Sequence, residues 1–346
     1  MIGIRKGWPL IGLALLLSWG CLQPEREALW ELDLVGQADT RGYCRDIFLQ
    51  NDTAFVAAGQ AGVQLWDISD VANPILLQEF NLVSDLGLTK EIMQVQYAPQ
   101  VQQLFALENN ERPLQVDLSL PDTSILIGQI SSEQTKEFVV LDQPDSFTVY
   151  AADFDDGLKW SFFTYDTTYK LWVNTKEGEI PGTGPPNGVA YYQGLLVLTL
   201  GQLGVDFYYV NGLSQPPEFL GTIDTEGFAR SVTIVDPSTV YVACEEGGVY
   251  QIELAPIIKL QQPFSPDNYE MIRFATDLDV DDIAVDGHQA ALCLGSKGLA
   301  LYDLTQPDEP VSRGIFNIGH AYHATFSQEY LFVATREGMQ IFNITE

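Results

Sequence analysis

The chain has 346 residues, with 47 acidic against 17 basic side chains, a formal charge of −30 and four cysteines. That balance argues against a nucleic-acid partner and against direct adhesion to an anionic lipid surface. A chain of this length buries enough surface to need no disulfide staple.

The first twenty residues read as an address. Arg5 and Lys6 form a positive n-region, and Leu10–Trp19 (LIGLALLLSW) is an apolar run too short for a comfortable membrane span. Gly20-Cys21 follows at once. This order resembles a bacterial lipoprotein box, which implies a signal peptide over 1–20 and lipid on Cys21. By the same resemblance, Leu22 in place of aspartate implies the outer membrane; the alternative is an ordinary secretory signal and a free Cys21. Residues 22–28 (LQPEREA) leave a tether of about 25 Å at full extension. Attachment then runs through acyl chains and needs no transmembrane helix.

From residue 29 onward the chain is repetitive. The stretch Asp46–Phe80 reads as four short strands, and six further stretches follow the same grammar. Self-similarity at roughly 40–50 residues with four strands per unit is the pattern of a β-propeller blade. The third strands align as GVQLWDIS from Gly62, PLQVDLSL from Pro113, GLKWSFFT from Gly157, GVDFYYVN from Gly204, GVYQIELA from Gly248, GLALYDLT from Gly298 and GMQIFNIT from Gly338. A glycine turns the chain tightly before each copy but the second. The second strands (TAFVAAG, VQQLFAL, FTVYAAD, LLVLTLG, TVYVACE, AALCLGS, YLFVATR) are rich in strand formers.

Fourth strands are expected at 74–80, 124–130, 170–176, 217–223, 258–264 and 310–316. The seventh repeat ends at Glu346, directly after its third strand. LWELDLVGQ (29–37) is the matching segment, so the expected fold is all-β, a seven-bladed propeller over 29–346 whose last blade is completed by an N-terminal strand. GVQLWDIS, PLQVDLSL, GLALYDLT and the turns DVANP (70–74) and TQPDEP (305–310) resemble the LVIVD-repeat family. That resemblance covers nearly the whole mature chain. It implies a bacterial propeller on a secreted or cell-surface protein and no particular chemistry. Phe162 and Tyr208 stand near where the motif has aspartate, a departure in repeats three and four.

Candidate chemistry is sparse. Asp277, Asp279 and Asp281 mimic positions 1, 3 and 5 of a calcium loop, but Asp282 stands where glycine is needed and His288 where the closing glutamate belongs. Solvated acidic turns, here and at Asp153–Asp156, are the plainer reading. His320 and His323 form H-x-x-H with no HExxH or paired CxxC elsewhere. No nucleophile elbow or phosphate loop is present. Cys244 and Cys293 fall on opposite faces by period-two alternation, so free buried thiols are expected.

Loops joining each outer strand to the next inner strand gather at one mouth of a propeller channel. There they collect Tyr43, Arg45, Arg230, Asp281, Tyr322 and His323. Arg45, Arg230, Tyr322 and His323 are the candidate ligand-binding residues, because loops on a rigid scaffold carry binding groups. The plain alternative pairs each arginine with a neighbouring carboxylate such as Asp46 or Glu226. The expected function is a non-catalytic, monomeric interaction module of the bacterial cell envelope, holding a protein or glycan partner and needing no cofactor. The alternative is a metal-dependent hydrolase or lactonase with calcium in the axial channel.

Overall fold

The computed structural model describes residues 29–81, 90–109, 111–119, 125–126, 130–254 and 269–346. Cys21 and the segments expected as leader (1–20) and tether (22–28) therefore lie outside the described residues. All regular structure in the described residues is strand, and no helix there is long and apolar enough to cross a membrane.

The strands form seven antiparallel four-stranded sheets. The clasp strand β1 (Glu31–Ala38) comes first. Blade 1 is β2 (Asp46–Gln50), β3 (Thr53–Ala57), β4 (Val63–Asp67) and β5 (Ile75–Phe80). Blade 2 is β6 (Ile92–Ala98), β7 (Gln103–Glu108), β8 (Pro113–Asp117) and β9 (Ile125–Leu126). Blade 3 is β10 (Thr135–Gln143), β11 (Ser146–Asp153), β12 (Gly157–Asp166) and β13 (Leu171–Ile180). Blade 4 is β14 (Gly188–Tyr192), β15 (Leu195–Thr199), β16 (Val205–Tyr209) and β17 (Glu218–Ile223). Blade 5 is β18 (Ser231–Asp236), β19 (Thr239–Ala243), β20 (Val249–Leu254) and β21 (Tyr269–Phe274). Blade 6 is β22 (Asp282–Asp286), β23 (Gln289–Cys293), β24 (Leu299–Asp303) and β25 (Val311–Phe316). Blade 7 is β26 (Ala321–Ser327), β27 (Tyr330–Thr335) and β28 (Gly338–Thr345), with β1 as its outer strand.

Blade 5 corrects one expectation. Its outer strand is Tyr269–Phe274 rather than 258–264, which lies outside the described residues. The run YEMIRF fits the position physically: Phe274 buries into the core and Arg273 lies over the Tyr250 ring at 5.5 Å. In blade 2 only Ile125–Leu126 of the expected outer strand is described. Repeats three and four form complete blades despite Phe162 and Tyr208.

The clasp occupies the place of a fourth strand in detail. β1 pairs antiparallel with β28 from Glu31↔Thr345 to Ala38↔Met339, with a bulge between Leu34 and Gly36. In blades 4 and 6 the glycine opening the third strand sits against the last carbonyl of the fourth. A Cβ on Gly204 would lie 2.1 Å from the Ile223 oxygen, and one on Gly298 2.2 Å from the Phe316 oxygen. Gly338 repeats this against the Ala38 oxygen at 2.2 Å. The three glycines have φ of 79°, 90° and 127°, a region other residues rarely enter. One steric rule thus fixes the local fourth strands and the one supplied from the distant end.

The core lies between blades. Seven apolar clusters are each built from the facing sides of two neighbouring blades, as strand alternation requires. The cluster across the seam joins Ala38 and Phe332 of blade 7 to Val56 and Trp66 of blade 1. Cys44, Cys244 and Cys293 are buried free thiols, and Cys244 and Cys293 belong to different clusters. Deleting Leu29–Ala38 is expected to cost a few kcal/mol, a large share of typical net stability. Thermal melting of the truncated chain should show a lower midpoint and aggregation from the bared edge; an unchanged midpoint in soluble protein would mean the ring closes without β1.

Candidate functional site at the axial channel and its mouth

The inner strands β2, β6, β10, β14, β18, β22 and β26 stand around the axis. Their early residues carry backbone amides that face the neighbouring blade, and buried amides need acceptors. Side chains supply them at four of the seven junctions, and other hydrogen bonds bridge the remaining three. Asp46 accepts from the Val95 amide at 2.9 Å, and Gln94 from Phe138 at 3.0 Å. Glu137 accepts from Val189 at 2.9 Å. The Thr199 hydroxyl donates to the Arg230 carbonyl at 2.9 Å, and that of Ser231 to Asp282 at 2.6 Å. Asp282 also accepts from Ala324 at 3.0 Å. At the seam the Cys44 amide donates to the Thr335 carbonyl at 3.1 Å.

Three of these acceptors are carboxyl groups, and His323 stands among them. Its Nδ1 lies 3.0 Å from Asp282 Oδ2 and its Nε2 3.4 Å from Asp46 Oδ1. Blade 7 is thereby tied to blades 6 and 1 through a single imidazole. Asp46, Glu137 and His323 line a cavity of about 340 Å³, with Phe48, Phe326, Gln94 and Gln96 among its walls. Irregularities between Ala321 and His323, Thr135 and Glu137, and Ile92 and Gln94 re-aim these side chains at the strand starts.

The electrostatics follow from crowding acids around one base. Burial pushes His323 down, but Asp282 and Asp46 outweigh it and hold the imidazole up at about 10. Burial raises Asp282, yet the His323 charge and the hydrogen bonds from His323, Ser231 and Ala324 bring it below the ordinary value. Asp46, with the longer contact, rises, chiefly through burial. Burial raises Glu137 to about 8; the Val189 amide opposes this, while the charges of Asp282 and Asp46 add to it. Near neutral pH the channel therefore favours a protonated imidazole beside the Asp282 carboxylate, while Glu137 keeps its proton.

The four candidate binding residues separate. Arg45, just before β2, places its guanidinium 4.5 Å from the centre of the Tyr322 ring and 5.2 Å from that of Tyr43. Arg336 lies over Tyr43 at 4.8 Å, and His320 packs on Tyr322 at 4.4 Å. A continuous stack Arg336–Tyr43–Arg45–Tyr322–His320 results, in which Tyr43 is 42% exposed. A second cavity, of about 290 Å³, lies beside it between Arg41, Tyr43, Gly59 and Glu91. Tyr322 and His323 belong to β26 rather than to the preceding loop, so consecutive side chains point to the mouth and into the channel. Arg230 stands apart from this stack and pairs with Glu245 at 2.8 Å and Asp281 at 3.3 Å. Arg45 does have a carboxylate partner, but it is Glu91, at 2.6 Å. Asp46 faces His323 instead, and Glu226 pairs with Arg273.

Asp277 and Asp279 are exposed, while the intervening Leu278 and Val280 enter the core between blades 5 and 6. Asp281 turns towards Arg230. Among the described residues no three His, Cys, Asp or Glu side chains form a metal-ligating group. Sequence reasoning missed Glu137 altogether; its signal was a lone acid at the start of an otherwise apolar inner strand, TKEFVV.

These features define a seven-bladed β-propeller with a polar axial channel and an arginine–aromatic mouth. No family model matches the chain, and no curated protein matches it. Its fold is similar to the structure of U3-55K, with a TM-score of 0.62 at 10% identity over 90% of this chain and 98% of that one. It is also similar to the computationally designed Ika8 protein, with a TM-score of 0.56 at 9% identity over 90% and 100% of the two chains. At such identities the likeness shows the fold alone.

The channel sets the expected pH dependence of stability. Glu137 rises from 4.5 to about 8 on folding, so the native state keeps a proton that the unfolded chain releases, and stability falls as pH rises through that window. His323 rises from 6.5 to about 10, so its contribution is full below 6.5 and is lost as pH climbs through 10. Melting temperature is expected to decline from about pH 5 to pH 10. Glu137→Gln should flatten the lower part of that decline and His323→Gln the upper part. Parallel curves for all three proteins would contradict the assignment.

Proposed function

We propose that the protein is a non-catalytic interaction module of the bacterial cell envelope, an LVIVD-like propeller anchored by lipid on Cys21, that holds a protein or glycan partner at the channel mouth. The observation that carries this reading is the stack Arg336–Tyr43–Arg45–Tyr322–His320. Tyrosine and arginine are the residues most enriched where binding energy concentrates, because both present large rigid surfaces with polar edges. Arg41, Arg45 and Arg336 gather around one exposed tyrosine, with Glu91 pairing Arg45 and Glu79 pairing Arg41, so the mouth presents guanidinium and carboxylate groups side by side. Long-range charge favours a basic partner, and the guanidinium edges favour one that presents carboxylate or hydroxyl groups at the point of contact.

The test is a pull-down from envelope extract with wild type and with Tyr43→Ala/Arg336→Ala. Both changes lie on the exposed rim, so melting should move little while partner recovery falls at least tenfold. Undiminished recovery from a folded double variant would sink the mouth as the contact surface. The anchor has its own check. Palmitate should label wild type and not Cys21→Ala, and absence of label from both would remove the lipoprotein reading.

A further inference from the structure

The mouth stack and the channel cluster share their two central strands. Arg45 and Asp46 are consecutive at the entry to β2; Tyr322 and His323 are consecutive in β26. Arg45 meets Tyr322 on the mouth side at 4.5 Å, and one residue on Asp46 meets His323 on the channel side at 3.4 Å. The same seam is therefore pinned twice by adjacent residues of opposite orientation, and a change in one contact moves the backbone that carries the other.

We infer that Glu137 is a proton-operated control of the binding mouth: when it ionises, it draws the His323 imidazolium away from Asp46, loosens the seam between blades 7 and 1, and so disturbs the Arg45–Tyr322 stack. This rests on the mouth being the binding surface. Three geometric facts support it. Glu137 lines the same cavity as Asp46 and His323 but comes from blade 3, across the channel. Its Oε2 accepts from Val189, and no further hydrogen bond or ion pair engages it among the described residues. The Asp46 contact is the longer of the two that His323 makes, and hence the one that yields first.

The groups that face Glu137 are few. β2 contributes Asp46, β22 contributes Asp282 and β26 contributes His323. β6 contributes the uncharged Gln94 and Gln96, and β14 the Val189 amide. Lys136, its neighbour on β10, lies over the Phe154 ring. Arg230 acts on Asp282 from the blade 5 side and has its own partners in Glu245 and Asp281. On ionisation the proton leaves to water, a second acid then competes with Asp46 for one imidazolium, and the cluster gains one negative charge. Burial and the neighbouring carboxylates place that event near pH 8. A mouth that is tight at neutral pH and loosened in alkaline surroundings follows.

The chain's three histidines are three reporters. His323 reads the channel, and His320, packed on Tyr322, reads the mouth. His288, beyond the far end of β22 and bonded to Glu346 at 2.6 Å, is the control. The experiment is an NMR titration of the full-length chain with ring-labelled histidine, without any partner, in wild type and Glu137→Gln. Glutamine keeps an oxygen to accept from Val189. In wild type, His323 and His320 should both show an inflection near pH 8 that His288 lacks, and Glu137→Gln should remove it from both. An inflection that survives in Glu137→Gln, one confined to His323, or none in wild type overturns the proposal. A pull-down that fails while this titration succeeds would count against the binding surface and leave the proton coupling standing.

Discussion

Closure of the ring is the constraint on which the rest depends. Each apolar cluster is shared by two blades, so no blade has a core of its own and every blade needs both neighbours. A linear array of such sheets would leave the first and last with bare apolar faces. The pairing of β1 with β28 joins the two ends of the chain within one sheet, and the seam cluster of Ala38, Val56, Trp66 and Phe332 buries the faces that meet there. Separating blade 7 from blade 1 therefore requires breaking backbone pairing or core contacts rather than sliding two finished surfaces apart.

The axial site is a by-product of the same closure. Drawing seven inner strands to one axis leaves amides at the strand starts beyond the reach of ordinary ladder bonding. Carboxylates at Asp46, Glu137 and Asp282 satisfy three of them. Three acids so placed repel one another in a narrow cavity. His323 offsets two of them directly, and Glu137 avoids the remaining repulsion by holding its proton. A structural solution to amide burial thus leaves a titratable group beside the mouth, and the consecutive pairs Arg45–Asp46 and Tyr322–His323 tie channel and mouth together mechanically.

The ring was legible because blade formation depends on local sequence. Glycine before the third strand is demanded by the carbonyl that ends the fourth, and six copies of it, Gly62, Gly157, Gly204, Gly248, Gly298 and Gly338, survive. At Gly338 that carbonyl comes from Ala38 of β1. The outer strand of blade 5 was not legible, because two apolar runs follow Leu254 and it is the pairing of the second with β20, with Phe274 buried at its end, that identifies it. The mouth was read in part. Position in the repeat led to Arg45 and Tyr322, but grouped Arg230 with them although it pairs across blades 5 and 6. Glu137 left only the weak signal of an acid at the start of an inner strand, because one irregularity after Thr135 decides which way it points and nothing in TKEFVV announces that shift.

If His323 and Asp46 form a real energetic link at the seam, a double-mutant cycle measures it directly. Asp46→Asn, His323→Gln and the double variant would be compared by equilibrium denaturation at pH 7. Non-additivity is expected, with the double variant more stable than the sum of the single losses implies, by about 0.5–3 kcal/mol as for contacting pairs. Strict additivity would show that the two side chains stand near each other without holding the ring together.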